Sequence, residues 1–303
     1  MRVAIAGSGG VARYLVEEFA AIGIDVVVLT RSLKPQFESI PNVKQVVSDF
    51  SVPSLIQELD GCTTLVSAIL DYTSAFIDIH QRLMEACQKS TTCKRFIPSE
   101  YGGNLEDYPD QPGLEYRTHG PVRQALKEQS ELEWTLISTG WFADFVVPSR
   151  NRYLKDAGEA FPIDLHTKTV LIPGTGKEPL DFTCARDMAK AVAKLLHAPK
   201  WEQHTYISGE KSCWNDLVAL MLKKYPGMPV EYRSLYQLIE DIRTSTDEYS
   251  RLMAEYRVFS PSHAGSLDAD KVAAHRKLYF EGIKFRTAKD LLEEIEENPD
   301  AIV

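Results

Sequence analysis

The run Gly7-Ser8-Gly9-Gly10-Val11-Ala12 holds Gly7, Gly9 and Ala12 at G-x-G-x-x-A spacing. These residue types let a phosphate-bearing ligand approach a main chain. Gly7 permits a tight turn, Gly9 has no Cβ to block a pyrophosphate, and Ala12 is small enough for a helix to pack on the preceding strand. The N-terminus of that helix offers free N–H groups to the phosphates. Farther along, Thr30-Arg31-Ser32 falls where a ribose-reading residue is expected, roughly 20 residues after the glycines. An acidic side chain there would bind a ribose 2′-hydroxyl. Arg31 instead suits a 2′-phosphate, so NADP(H) is the expected cofactor; a solvated loop charge is the alternative reading of Arg31.

The elements that must position these residues follow from the apolar pattern. Val3-Ala4-Ile5-Ala6 reads as a buried strand, and Tyr14 to Phe19 as a helix. Further strands are expected at Asp25–Leu29, Val43–Val47, Thr64–Leu70, Arg95–Pro98 and Trp134–Ser138. Helices are expected at Pro53–Leu59, Thr73–Gln88 and Pro121–Glu128. This alternation implies an α/β fold, a Rossmann doubly wound parallel sheet with a smaller α+β substrate lobe. Residues 1–155 form the dinucleotide-binding domain, with 180–212 returning to it, and residues 156–303 mainly form the lobe. That second half is broken by Pro and Gly, then becomes helical and charged. Asp187 to His197 is a clear helix, and the acidic tail from Lys289 to Glu297 reads as a solvated amphipathic helix.

In such sheets, ligands bind beyond the carboxyl ends of the strands. The cofactor site is therefore expected to take in Gly7, Ser8, Gly9, Gly10, Val11, Ala12, Thr30, Arg31 and Ser32. Asp49 and Phe50 belong beside the adenine, and Ser67, Ala68, Ile69, Leu70, Pro98, Ser99 and Glu100 beside the nicotinamide. Trp141 and Phe142 are expected to end the sixth strand, as a wall of that site, as core packing, or as both. Tyr101 could give a proton or hydrogen bond to a substrate oxygen, and Glu100 could take a proton or orient a neighbour. The alternative is that Ser99 and Glu100 only brace the loop before Gly102 and Gly103.

The composition sets limits. The chain has 303 residues with 34 basic and 43 acidic side chains, a net charge of −9. That disfavours a general nucleic-acid or anionic-membrane surface. No apolar run approaches the ~18 residues of a membrane span, so no membrane partner is expected. A strand begins almost at the first residue, so no targeting segment is expected ahead of it. The cysteines (Cys62, Cys87, Cys93, Cys184, Cys213) lack zinc-ligand spacing and suit reduced thiols in the cytoplasm. The histidines are scattered with no H-E-x-x-H, so no metal site is expected; there is no G-x-S-x-G elbow either. Gly174-Thr175-Gly176-Lys177 lacks the full phosphate-loop pattern and reads as a turn.

Taken together, the glycine motif, Thr30-Arg31, Arg95-Phe96-Ile97-Pro98-Ser99-Glu100-Tyr101-Gly102 and Ser138-Thr139-Gly140-Trp141-Phe142 resemble the NmrA-like and isoflavone-reductase-like family of atypical short-chain dehydrogenases. Phe182-Thr183, Asp187, Tyr206-Ile207-Ser208-Gly209-Glu210 and Trp214-Asn215 fit as well. The likeness covers nearly the whole chain and is strongest to fungal NmrA-like proteins of secondary metabolism. It implies NADP(H) binding and, in reductase members, hydride transfer to a phenylpropanoid or polyketide-like small molecule.

Reductases of that family carry a lysine in a K-x-x-V-R pattern, whereas this chain reads His119-Gly120-Pro121-Val122-Arg123. The resemblance thus puts His119 at the acid–base position, chemistry an imidazole can perform near neutral pH. The alternative is that His119 merely caps the start of a helix before Pro121. No Y-x-x-x-K pair of the ordinary short-chain type is present. The leading expectation is an NADPH-dependent reductase of a small aromatic or secondary metabolite, as a monomer or homodimer, with His119, Tyr101 and Glu100 as catalytic candidates. An isomerase or cyclase using His119, and an NADP(H)-sensing regulator without turnover, are the alternatives.

Overall fold

The N-terminal apolar run forms β1 (Arg2–Ala6), whose last four residues are fully buried. A strand with parallel neighbours on both sides needs apolar side chains on both faces. The computed structural model describes all 303 residues. After β1 come α1 (Gly10–Ala21), β2 (Asp25–Thr30), β3 (Val43–Val47), α2 (Val52–Glu58), β4 (Thr64–Ser67), α3 (Ala75–Lys89), β5 (Arg95–Ile97), α4 (Gly113–Glu128) and β6 (Glu133–Trp134). These strands make one six-stranded sheet in the order β3-β2-β1-β4-β5-β6. Every pairing in it is parallel. The order reverses between β1 and β4, where a crevice opens for a ligand.

The alternation of side chains sorts the core. Val3, Ile5, Val26 and Val28 pack on one face with α1 residues Leu15 and Phe19. Ala4, Ala6, Val27 and Leu29 pack on the other with Leu55, Leu83 and Leu126. A further core, around Trp214, Phe182, Phe161 and Leu291, lies in the second half of the chain.

The chain after β6 contains β7 (Leu136–Ser138), β8 (Trp141–Phe142), β9 (Ile163–Asp164), β10 (Thr169–Pro173), β11 (Leu180–Thr183), α5 (Ala185–Leu195), β12 (His204–Tyr206) and β13 (Glu210–Ser212). It ends with α6 (Trp214–Lys224), β14 (Val230–Arg233), α7 (Leu235–Thr244), α8 (Glu248–Val258), α9 (Ala269–Tyr279) and α10 (Ala288–Glu297). Helix α5 adds Met188, Val192 and Leu195 to the core that holds α1. Helix α10 buries Leu291, Leu292 and Ile295 and leaves its acidic side exposed, as the sequence pattern implies. All the cysteines are free, and all but Cys213 are buried. No helix is long and apolar enough to cross a membrane.

Three elements depart from the sequence expectation. Strand β4 stops at Ser67, short of Leu70, because its neighbour β1 ends at Ala6 and leaves Ile69 and Leu70 without a ladder partner. The expected sixth strand is split: β6 pairs with β5, whereas β7 pairs with β12. Pro98 follows β5 and has no N–H with which to extend the ladder. Trp141 and Phe142 accordingly belong to a separate strand, β8, parallel to β11. Helix α4 begins at Gly113, and Pro121 lies inside it. Gly120 lacks the Cβ that would clash with a following proline ring, so the helix continues through it. His119 is therefore mid-helix and does not cap a helix start.

Candidate active site

A cleft of about 990 Å³ opens at the carboxyl ends of the central strands. Gly9 caps α1 in extended backbone with no side-chain hydrogen bond, and no acidic residue occupies the first turn. The glycine turn is tightly enclosed on two sides. Gly7 has φ +115°, and a Cβ on it would come within 2.8 Å of the Ala68 carbonyl oxygen. A Cβ on Gly10 would come within 2.5 Å of the Tyr153 carbonyl oxygen. A Cβ on Gly9, by contrast, would meet nothing within 4 Å. The cradle is thus walled at Gly7 and Gly10 and open at Gly9, and it presents an uncapped helix terminus. Those features fit a diphosphate.

Arg31 and Lys34 line the same cleft, and neither takes part in an ion pair. The Thr30 hydroxyl lies 3.0 Å from that of Ser8 and 2.9 Å from the Ser32 carbonyl, which ties the end of β2 to the glycine turn. Arg31 and Lys34 make this end of the cleft cationic.

At the other end stands a buried charged network. Arg123 donates from Nε to Glu100 Oε1 at 2.8 Å and from Nη2 to Oε2 at 2.7 Å. Its Nη1 donates to the Pro109 carbonyl at 2.7 Å. His119 Nδ1 lies 3.2 Å from Glu100 Oε2. Burial alone would raise the Glu100 carboxyl, but the Arg123 and His119 charges outweigh it and hold it well below the usual range. Glu100 is therefore an acceptor already committed to two partners, not a free base. Because a carboxylate only accepts, Nδ1 of His119 carries the proton it shares with Glu100. Nε2 of His119 is buried and has no hydrogen-bond partner.

The imidazole of His119 stacks on Phe76 at 3.9 Å, and Phe76 stacks on His80 at 3.9 Å on its other face. His80 donates from Nδ1 to the Phe76 carbonyl at 2.8 Å. Burial pushes its pKa down to about 4. The stack fixes the plane of the His119 ring.

Tyr101 has φ +41°, an uncommon backbone state for a non-glycine residue. Its hydroxyl donates to the Ser67 carbonyl at 2.9 Å, and burial, with the Glu100 charge, pushes its pKa well up. The only proton of that phenol is engaged at the end of β4 and is not offered to the cleft.

Of the cofactor-site residues expected from sequence, Gly7, Ser8, Gly9, Gly10, Val11, Thr30, Arg31, Ser32, Phe50, Ala68, Ile69, Leu70, Ser99, Glu100, Trp141 and Phe142 line the cleft. Four do not. Ala12 and Ser67 are fully buried. Pro98 is buried behind the cleft wall. Asp49 is exposed and turns back to accept from the Ser51 N–H at 2.8 Å. Sequence reasoning missed Lys34, Tyr72, Glu115, Lys155 and Tyr256, all of which line the cleft. A signal existed for Glu115, because it precedes His119 by one helical turn and so shares its face of α4.

The model of the NmrA-like family matches residues 2–292. Oxidoreductase swnR of Arthroderma benhamiae and oxidoreductase swnR of Metarhizium robertsii are each 47% identical to this chain over 306 residues, covering 100% of both chains. Among solved structures, AtPrR2 with NADP+ and (+)pinoresinol superposes with a TM-score of 0.77 at 22% identity, covering 97% of this chain and 98% of that one. Leucoanthocyanidin reductase from Vitis vinifera gives a TM-score of 0.73 at 19% identity, covering 97% and 99%. The chain belongs to the NmrA-like family.

Proposed function

We propose that this protein is an NADPH-dependent reductase of a small aromatic or secondary metabolite. The observation that carries this reading is the continuity of the cleft. One cavity runs from the uncapped α1 terminus at Gly9 to His119. The names of the two swnR relatives support an oxidoreductase, and the NADP+ named with AtPrR2 supports the cofactor.

In this reading the amides of Gly9, Gly10 and Val11 hold the diphosphate, and Arg31 with Lys34 holds the 2′-phosphate. Phe50 lies beside the adenine. Ala68, Ile69, Ser99, Trp141 and Phe142 border the nicotinamide, which supplies a hydride when bound. His119 holds or moves a proton at Nε2, toward a polar atom of the substrate. Glu100 orients that imidazole, and Arg123 fixes Glu100. Tyr101 positions the end of β4. Residues 1–155 with 180–212 serve the dinucleotide, and residues 156–303 mainly close over the substrate. The free, mostly buried cysteines suit a reducing cytoplasm.

The test is titration of the purified protein with NADPH, NADP+, NADH and NAD+, alongside Arg31→Ala. NADPH is expected to bind more tightly than NADH, and Arg31→Ala to lose about tenfold or more for NADPH alone. Absence of binding by every dinucleotide would overturn the reading. A mass-neutral isomerase or cyclase is the second reading, favoured by the Glu100–His119 pair, an assembled acid–base unit that needs no cofactor. A product equal in mass to its substrate, with NADPH unconsumed, would establish it.

A further inference from the structure

The substrate end of the cleft combines one carboxylate with several aromatic walls. Glu115 lines the cleft and makes no ion pair, whereas Glu100 and Asp156 in the same lining each make one. Its Oε1 accepts from the Tyr256 hydroxyl, and that hydroxyl lies 3.3 Å from the hydroxyl of Tyr72. The rings of Tyr72 and Tyr256 stand 6.4 Å apart at 81°. Trp141 and Tyr256 are 6.3 Å apart at 50°. All three rings line the cavity that Glu115 lines. The nearby cation on the same helix, Arg123, is already bound by both oxygens of Glu100.

An acidic residue in a helix's first turn is favourable by itself, so the position of Glu115 on α4 alone indicates nothing. Its surroundings do. Tyr256 is partly buried, and desolvation together with the adjacent Glu115 charge drives its pKa well above the ordinary range. Glu115 is partly buried in the cleft wall and makes no salt bridge, so a cation brought by a ligand would be its ion-pair partner. Tilted aromatic faces around it add the attraction of ring quadrupoles for positive charge.

We propose that Glu115, Tyr72, Trp141 and Tyr256 form a subsite for a positively charged nitrogen, so that the substrate is a protonated amine or an iminium and not a neutral phenol. This deepens the reductase reading and rests on it only for calling the ligand a substrate. His119, one turn farther along α4, then faces the atoms next to that nitrogen.

Two probes of one shape separate charge from size: (3-hydroxyphenyl)trimethylammonium and 3-tert-butylphenol. Ligand-observed NMR titration of the full chain, with no dinucleotide added, is expected to show the cation binding about tenfold tighter or more. Glu115→Gln should remove most of that difference and leave the phenol unchanged. Tyr72→Leu, a second variant, should reduce the preference by a smaller factor. Equal binding of the two probes, or a preference untouched by Glu115→Gln and Tyr72→Leu, would overturn the proposal. A parallel NADPH titration keeps the two readings apart. Loss of dinucleotide binding with the charge preference intact defeats only the reductase reading. Normal NADPH binding without a preference defeats only the subsite.

Discussion

Arg123 grips both carboxylate oxygens of Glu100, and both residues are buried. Removing one partner of such a pair strands the other. Arg123→Leu is therefore expected to cost about 3–5 kcal/mol, measured by denaturant unfolding at neutral pH. The same carboxyl contributes a pH dependence. Its folded pKa is depressed, so its stabilisation is present above the unfolded value of about 4.5 and is lost as pH falls below that. A stability of Arg123→Leu within 1 kcal/mol of the parent would contradict this account.

The glycine turn separates fold from binding within neighbouring positions. Gly10→Ala drives a methyl toward the Tyr153 carbonyl at 2.5 Å, so it should destabilise by about 1–3 kcal/mol. Gly9→Ala meets no protein atom within 4 Å, so its melting temperature should stay near the parent's. The same methyl occupies the space proposed for the diphosphate, and NADPH affinity should fall about tenfold or more. A Gly9→Ala protein that binds NADPH normally would place the phosphates elsewhere.

The contrast shows what the sequence could carry. The motif around Gly9, the strand–helix alternation and the strand-end rule located most of the cleft, because they depend on local spacing. What they could not supply was contact between distant segments. Tyr153 closing over Gly10 and Tyr101 reaching Ser67 are long-range events, with no periodicity to announce them. The start of α4 was missed because Pro121 is a usual first-turn residue, and only the glycine before it lets the helix pass. Asp49 follows its strand as expected, but its side chain turns back to cap its own loop, a local bond that competes with ligand binding.

Two buried groups should give opposite pH responses. Burial lowers the pKa of His80 to about 4, so the unfolded chain binds its proton first, and stability falls as pH drops from 6.5 toward 4. Burial raises the pKa of Asp144 to about 6, so the stability linked to this group is full below 3.8 and is lost as pH rises through 6. Each effect is up to about 3 kcal/mol. Relative to the parent, His80→Leu should tilt the stability profile between pH 4 and 6 toward acid, and Asp144→Asn toward base. Parallel profiles for the two variants would remove both assignments.

Tyr101→Phe distinguishes a structural phenol from a chemical one. The substitution leaves the buried Ser67 carbonyl without its donor, at a cost of about 1–3 kcal/mol in unfolding free energy. Because the hydroxyl is not offered to the cleft, kcat should change by only a few-fold. A fall in kcat of about a hundredfold or more at unchanged stability would make Tyr101 the proton donor after all.

His119 is the residue on which turnover should depend. Its ring is fixed on three sides, by Glu100 at Nδ1, by the face of Phe76, and by its place inside α4, which leaves Nε2 as the atom free to exchange a proton. His119→Ala should lower kcat by about 10²–10⁴ with a substrate found by screening NADPH oxidation, while NADPH affinity stays within about twofold. Glu100→Gln should lower kcat less, because the imidazole remains and only its orienting carboxylate is lost. Glu100→Asp should recover part of that loss, since a charged carboxylate returns, whereas a purely structural Glu100 would show no such recovery in kcat at matched stability. If His119→Ala turned over at the parent rate, proton transfer would have to be assigned to solvent or to the substrate itself, and the Glu100–Arg123 pair would be left as a packing device.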